Sequence, residues 1–249
     1  MVADHWQVPE VIHYHGSPLG GDRAGVVRFF SGRHAFVSFA KPEDLPAIAD
    51  VAQSFAIDNG AFTAWKHGGE IDFQGYVDFV REWHRHPGFD WAVIPDVIDG
   101  TAEDNDDLLA MWPHDLPGVP VWHLHEPIQR LVLLARAWPR VAIGSSGAYS
   151  DPGSSAWWRR MCEALPEICD DGRPVTRLHG LRMLNPAVFS KLPLASADSC
   201  NAAINSGMES KWGRYAPPTR WQRAEVIAAR VEAYNSAPVW RGGAQKVLF

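Results

Sequence analysis

Three aspartates in this 249-residue chain each follow closely on a short apolar run: Asp58 after Phe55–Ile57, Asp96 after Trp91–Ile94, and Asp198 after Leu192–Ala197. One aspartate beside an apolar segment usually caps the next turn or helix. Three at equivalent positions point to a shared polar site, because Asp is seldom buried without a partner or a task. Carboxylates brought together in one site can divide the labour of a reaction, one attacking while another moves the proton. A second set is histidine: His13-x-His15 and His123-x-His125. Residues i and i+2 of a strand share a face, so each pair could hold an ion.

The elements that must position these residues are eight apolar runs. They are Val11–His15, Ala35–Phe39, Phe55–Ile57, Trp91–Ile94, Val119–Leu124, Val141–Ile143, a run near Leu178–Leu184, and Leu192–Ala197. Short continuous apolar runs fit strands buried on both faces. Amphipathic stretches lie between them at Phe73–His84, Asp104–Trp112, Ile128–Trp138 and Ser154–Leu165. Alternation of this kind predicts a parallel sheet with right-handed crossovers. Eight repeats in 249 residues predict an α/β fold, a single-domain (β/α)₈ TIM barrel of about residues 10–206. A short basic and aromatic C-terminal extension, 207–249, follows, with a closing helix at Glu225–Tyr234. In such a barrel the strand ends carry the chemistry. They supply Asn59, Gly60, Phe62, Gly144, Ser145, His125 and Tyr149 as candidate substrate contacts, Phe62 and Tyr149 by stacking.

Apolar residues make up 46% and charged residues 21%, enough for a full core. The net charge of −6 excludes binding of nucleic acid by overall charge and leaves only a local basic patch. Arg177 and Arg182, with Lys211, Arg214 and Arg220 among the aromatics of 211–223, are the candidates. The 12 tryptophans read mainly as core. Cys162, Cys169 and Cys200 contain no C-x-x-C pair, and no apolar run reaches the ~20 residues of a membrane span. MVADHWQVPE lacks the basic and apolar regions of a signal peptide, so a cytoplasmic location is expected.

The set resembles the tRNA-guanine transglycosylase superfamily, itself a (β/α)₈ barrel, over about residues 55–200. Asp58-Asn59-Gly60-Ala61-Phe62 resembles its Asp-Ser-Gly-Gly-Phe segment, where the Asp is general acid/base. Asp96 resembles the Asp that bonds the guanine face. Ala142-Ile143-Gly144 resembles its Ala-Ile-Gly-Gly, with Ser145 in place of the second glycine. Asp198 stands where the nucleophilic Asp stands. The zinc-binding cysteine cluster of the tRNA enzymes is missing, and so is the associated insertion. The chain therefore looks more like the zinc-free DNA 7-deazaguanine transglycosylases of phages and bacterial DNA-modification islands. The resemblance implies exchange of guanine in DNA, rather than tRNA, for a 7-deazaguanine base, through a covalent Asp198 intermediate, with no cofactor, no metal and no membrane partner.

Two other readings compete. An amidohydrolase-like metal hydrolase would use His13, His15, His123, His125 and Asp198, although no Lys follows strand four and His179 falls on strand seven. A non-catalytic binder of a base or DNA would need Asp96 but no nucleophile.

Overall fold

The computed structural model describes residues 10–69 and 71–242. Residues 1–9, on which the absence of a leader was read, lie outside the described residues, as do the last seven of the expected extension.

The strands are β1 (Ile12–Gly16), β2 (His34–Ser38), β3 (Ser54–Asp58), β4 (Phe89–Val93), β5 (Gly118–Val119), β6 (Val121–His123), β7 (Arg140–Gly144), the hairpin pair β8 (Cys169–Asp170) and β9 (Arg173–Pro174), β10 (Arg177–Gly180) and β11 (Ser196–Ser199). The helices are α1 (Arg23–Phe30), α2 (Leu45–Ala49), α3 (Ala61–Lys66), α4 (Phe73–Trp83), α5 (Ala102–Met111), α6 (Ile128–Ala137), α7 (Ser155–Ala164), α8 (Pro186–Phe189), α9 (Asn201–Ser206) and α10 (Arg220–Glu232).

Nine strands form one parallel sheet in the order β5-β4-β3-β2-β1-β11-β10-β7-β6. Its two edge strands, β5 and β6, are separated in the chain by Pro120 alone. Proline has no N–H to give a ladder, so it suits the point where a strand changes partner. On one side Val119 accepts from the Ile94 amide at 3.0 Å; on the other, Pro120 accepts from Ala142 at 2.9 Å. The nine strands are thus eight staves, and the sheet closes into an α/β barrel of the (β/α)₈ type with helices outside.

The pleat sorts the side chains. Tyr14, Phe36, Ala56, Trp91, Val93, Val119, Val121 and Ala142 pack together as the barrel's inner filling. Their neighbours in sequence, such as Val37, Ile57, Ala92, Trp122 and Val141, face the helices. Trp91, Trp112, Trp122, Trp157 and Trp240 are buried. No helix of the described residues is long and apolar enough to cross a membrane.

Three boundaries differ from the sequence pattern. The last strand was expected at Leu192–Ala197 but forms at Ser196–Ser199. Leu192 instead closes the turn after α8 through the Phe189 carbonyl, and Pro193 cannot join a ladder. Asp198 therefore lies inside the strand. The seventh run gives a strand only at Arg177–Gly180 and then turns through Arg182 at φ 59°. The closing helix starts at Arg220, not Glu225, because Thr219 and Gln222 form a capping box. This helix packs on α1, α9 and β1, so it completes the outer ring of the barrel.

A buried ion pair ties the loops over the β4–β6 side. Glu126 is 1% exposed and accepts from Asn105 Nδ2 at 2.7 Å, the His123 amide at 3.0 Å and Arg130 Nη1 at 2.8 Å. Asn105 Oδ1 in turn accepts from the Val97 amide at 2.7 Å, fixing the loop that carries Asp96. Removing one partner of a buried pair leaves the other charge uncompensated. Arg130→Ala is expected to lower unfolding free energy in urea by about 3–5 kcal/mol. Arg81→Ala, in an exposed pair with Asp78, should change it by less than about 1 kcal/mol.

Candidate active site

The inner filling stops one layer below the C-terminal strand ends. A cavity of 690 Å³ opens above it, lined among others by Asp58, Asn59, Phe62, Asp96, His123, Gly144, Ser145, Arg182 and Asp198. All three aspartates singled out by the sequence meet there.

Asp58 ends β3 in register with Ser38 of β2, and Gly60 donates its amide to Asp58 Oδ2 at 3.1 Å. Its carboxylate opens onto the cavity and is otherwise enclosed by protein. Burial, first, and then the charges of Asp198 and Asp96 push its pKa up to about 7. The Ser38 hydroxyl, nearby but without a bond of good geometry, and the Gly60 amide oppose the rise. Gly60 sits at φ 81°, a left-handed conformation that glycine adopts freely, and starts α3.

Asp96 is 8% exposed and held at both oxygens. Asn59 Nδ2 donates to Oδ1 at 2.7 Å, and His123 Nε2 lies 2.7 Å from Oδ2. Asn59 is itself fixed by the Ala61 amide at 2.7 Å and the Ile94 carbonyl at 3.0 Å. With the proton on Nε2, His123 donates to Asp96 and its buried Nδ1 has no partner. The ring packs over Gly144, where a Cβ would come 2.6 Å from Nδ1. Gly144 thus makes room for His123 and also lines the cavity. Ser145 is positioned by Trp157 Nε1 at 2.9 Å.

Asp198 is 3% exposed. Its Oδ1 accepts from the Arg182 amide at 2.8 Å, with His179 Nε2 farther off at 3.4 Å. Burial lowers the pKa of His179, which favours its neutral form. No described residue bonds Oδ2, so one carboxylate oxygen is available to a substrate. A left-handed non-glycine residue is uncommon and costs about 1 kcal/mol or more. At Arg182 that conformation aims the amide at Asp198. The Arg182 guanidinium rests 4.2 Å from the centre of the Phe62 ring, which is 38% exposed.

Other candidates lie elsewhere. Tyr149 is outside the cavity lining and packs under Arg160. His125 is also outside it and clasps two loops, through Ser146 Oγ at 2.6 Å and the Gly100 carbonyl at 2.8 Å. Arg177 begins β10 beside Arg140, at the barrel end opposite the cavity. Lys211 and Arg214 are exposed on the short turns after α9, whose Ala203 and Ile204 line the cavity; Arg220 lines it directly.

The histidine set expected of a metal hydrolase does not assemble. Tyr14 points into the barrel, so His13 and His15 point out, toward the Tyr234 carbonyl at 3.0 Å and Glu232 at 2.9 Å. β6 ends at His123, so His125 does not share its strand face. Among the described residues no group of three or more His, Cys, Asp or Glu is arranged to hold a metal.

The roles of His123, His179 and the Arg182 main chain were not assigned from sequence. For His123 a signal was present: it has the parity of the inward Val119 and Val121. For Arg182 there was none, since a backbone dihedral leaves no mark on a non-glycine residue. Comparison with known proteins finds no significant match to any family model, curated protein or solved structure.

The raised Asp58 pKa has a stability consequence. Between about pH 4 and 7 the folded protein binds a proton at Asp58 that the unfolded chain does not, so this contribution grows as pH falls and is lost as pH rises through about 7. Asp58→Asn removes it. Urea unfolding at pH 5 and pH 8 should show the variant gaining on wild type at the higher pH; equal differences at both would count against the shift.

Proposed function

We propose that the cavity exchanges a guanine-type base at a polynucleotide sugar. The observation that carries this reading is one cavity that brings together Asp58, a buried carboxyl whose pKa is raised to about 7, and Asp198, one oxygen of which is free. Such a division suits double displacement through an oxocarbenium-like state. Asp198 Oδ2 bonds the sugar C1′ as the C1′–N bond breaks. The bonding pair leaves with the base, and Asp58 supplies the proton that neutralises it. The incoming 7-deazaguanine then gives its N–H proton to Asp58 while its nitrogen bonds C1′ and displaces Asp198. No electron is gained or lost overall.

Asp96 recognises the base. Asn59 and His123 occupy one lone-pair direction on each oxygen and leave the others for two adjacent N–H donors, the edge that guanine and 7-deazaguanines present. A buried acceptor pair rejects bases that lack those donors. A volume of 690 Å³ accommodates a nucleotide. Phe62 and Arg182 at the mouth offer a stacking surface for a base swung out of its helix. DNA is the favoured polymer, since the chain resembles the zinc-free relatives and lacks the cysteine cluster of the tRNA enzymes.

The test offers labelled guanine with duplex DNA, single-stranded DNA and tRNA. Label should enter DNA, and Asp198→Asn should abolish incorporation. Asp58→Asn should slow it by on the order of 10²–10⁴-fold. In wild type, kcat/KM should fall as pH rises above about 7, because the first step uses the protonated Asp58. Label in tRNA alone would correct the polymer; no incorporation into any of the three would end the base-exchange reading.

A further inference from the structure

The cavity has a basic wall that base exchange at C1′ does not use. Arg220 opens α10 and lines the cavity, yet only Nη2 is bonded, to the Ala203 carbonyl at 2.8 Å. Its Nε is buried without a partner, and it forms no ion pair among the described residues. Its charge reaches Asp44 without a salt bridge, and Asp44 Oδ2 accepts instead from the Leu19 amide at 2.9 Å. The guanidinium is nonetheless held firmly. Gly20, at φ 72°, passes so close that a Cβ there would lie 2.7 Å from Nη1, and one at Gly207 would lie 3.3 Å from Cζ. Ser17 lines the same cavity, is 6% exposed, and has a buried hydroxyl with no partner. Lys41 is an exposed lining residue, and its charge reaches Cys200 beside Asp198.

A fixed guanidinium with most donors idle and an unpartnered buried hydroxyl, with an ammonium on the same cavity lining, lack an oxyanion. The lining also contains Asp58, Asp96, Asp99 and Asp198, so an anion has no other basic place to sit except Arg182 at the mouth. We propose that Ser17, Lys41 and Arg220 form a phosphate subsite, which holds a phosphate flanking the sugar whose base rests on Asp96. This rests on the base-exchange reading and extends it. The enzyme grips the target nucleotide at both ends, so the sugar between them is presented to Asp198.

The test measures binding and needs no turnover. Deoxyguanosine and its 5′- and 3′-monophosphates are titrated by calorimetry into wild type, Arg220→Gln, Ser17→Ala and Lys41→Gln, with thermal melts to check folding. Wild type should bind one monophosphate at least about tenfold tighter than the nucleoside, as expected of charge-assisted bonds. Which isomer gains identifies the phosphate held. Arg220→Gln should erase the preference and leave nucleoside affinity unchanged. Should that variant not fold, the milder Ser17→Ala and Lys41→Gln should still reduce the preference severalfold. Equal affinity for all three ligands in wild type, or a preference that survives Arg220→Gln, overturns the subsite while base exchange stands. Failure of all three to bind also overturns it, and the labelled-guanine exchange then decides separately whether the base reading falls too.

Discussion

Like charges in a desolvated space repel, and the upper part of this protein is organised around that constraint. Asp58, Asp96 and Asp198 meet in one cavity. In a medium poorer than water, their mutual repulsion and lost hydration disfavour three simultaneous charges. The protein treats them differently. Asp96 and Asp198 are each held by hydrogen bonds: Asn59 and His123 on one, the Arg182 amide on the other. Asp58 has little beyond the Gly60 amide, and its burial first, then the two neighbouring charges, raise its pKa. Chemical specialisation follows from unequal solvation of identical side chains.

Those donors come from separate parts of the chain, and the closed barrel holds them in place. Pleat parity turns Asp58, His123 and Asp198 inward together and sends His13 and His15 out to α10. Closure across Pro120 brings β6 beside β7, which sets His123 over Gly144. The buried Glu126–Arg130–Asn105 network then fixes the loop bearing Asp96 from behind. The strained turn at Arg182 survives because Phe62 anchors its side chain while Asp198 anchors its amide.

Charge is also divided across the lining. Acids gather at the ends of β3 and β11 and in the loop after β4, whereas Arg220, Lys41 and Arg182 supply the cations. A ligand with a donor-rich ring at one end and an anion at the other matches this polarity, and a nucleotide is such a molecule. The net charge of −6 gives no hint of it, because a sum over the chain discards where each charge lies.

Much of this was legible in the linear pattern. Eight apolar runs with helices between them specified a barrel, because a doubly buried parallel strand is largely apolar and its polar groups gather toward its end. The same rule marked Asp58, Asp96 and Asp198 by position alone. The tertiary structure decided what the strand-end rule cannot. Two histidine pairs that look alike in sequence separate, because one lies along a strand and the other straddles the end of one. The pKa of Asp58 depends on its burial and then on two nearby acids, and the service of Arg182 depends on a dihedral angle. Residue type and spacing determine which groups can arrive at one end of the barrel. Distance, orientation and exclusion of water determine what each does there, and these exist only once the ring has closed.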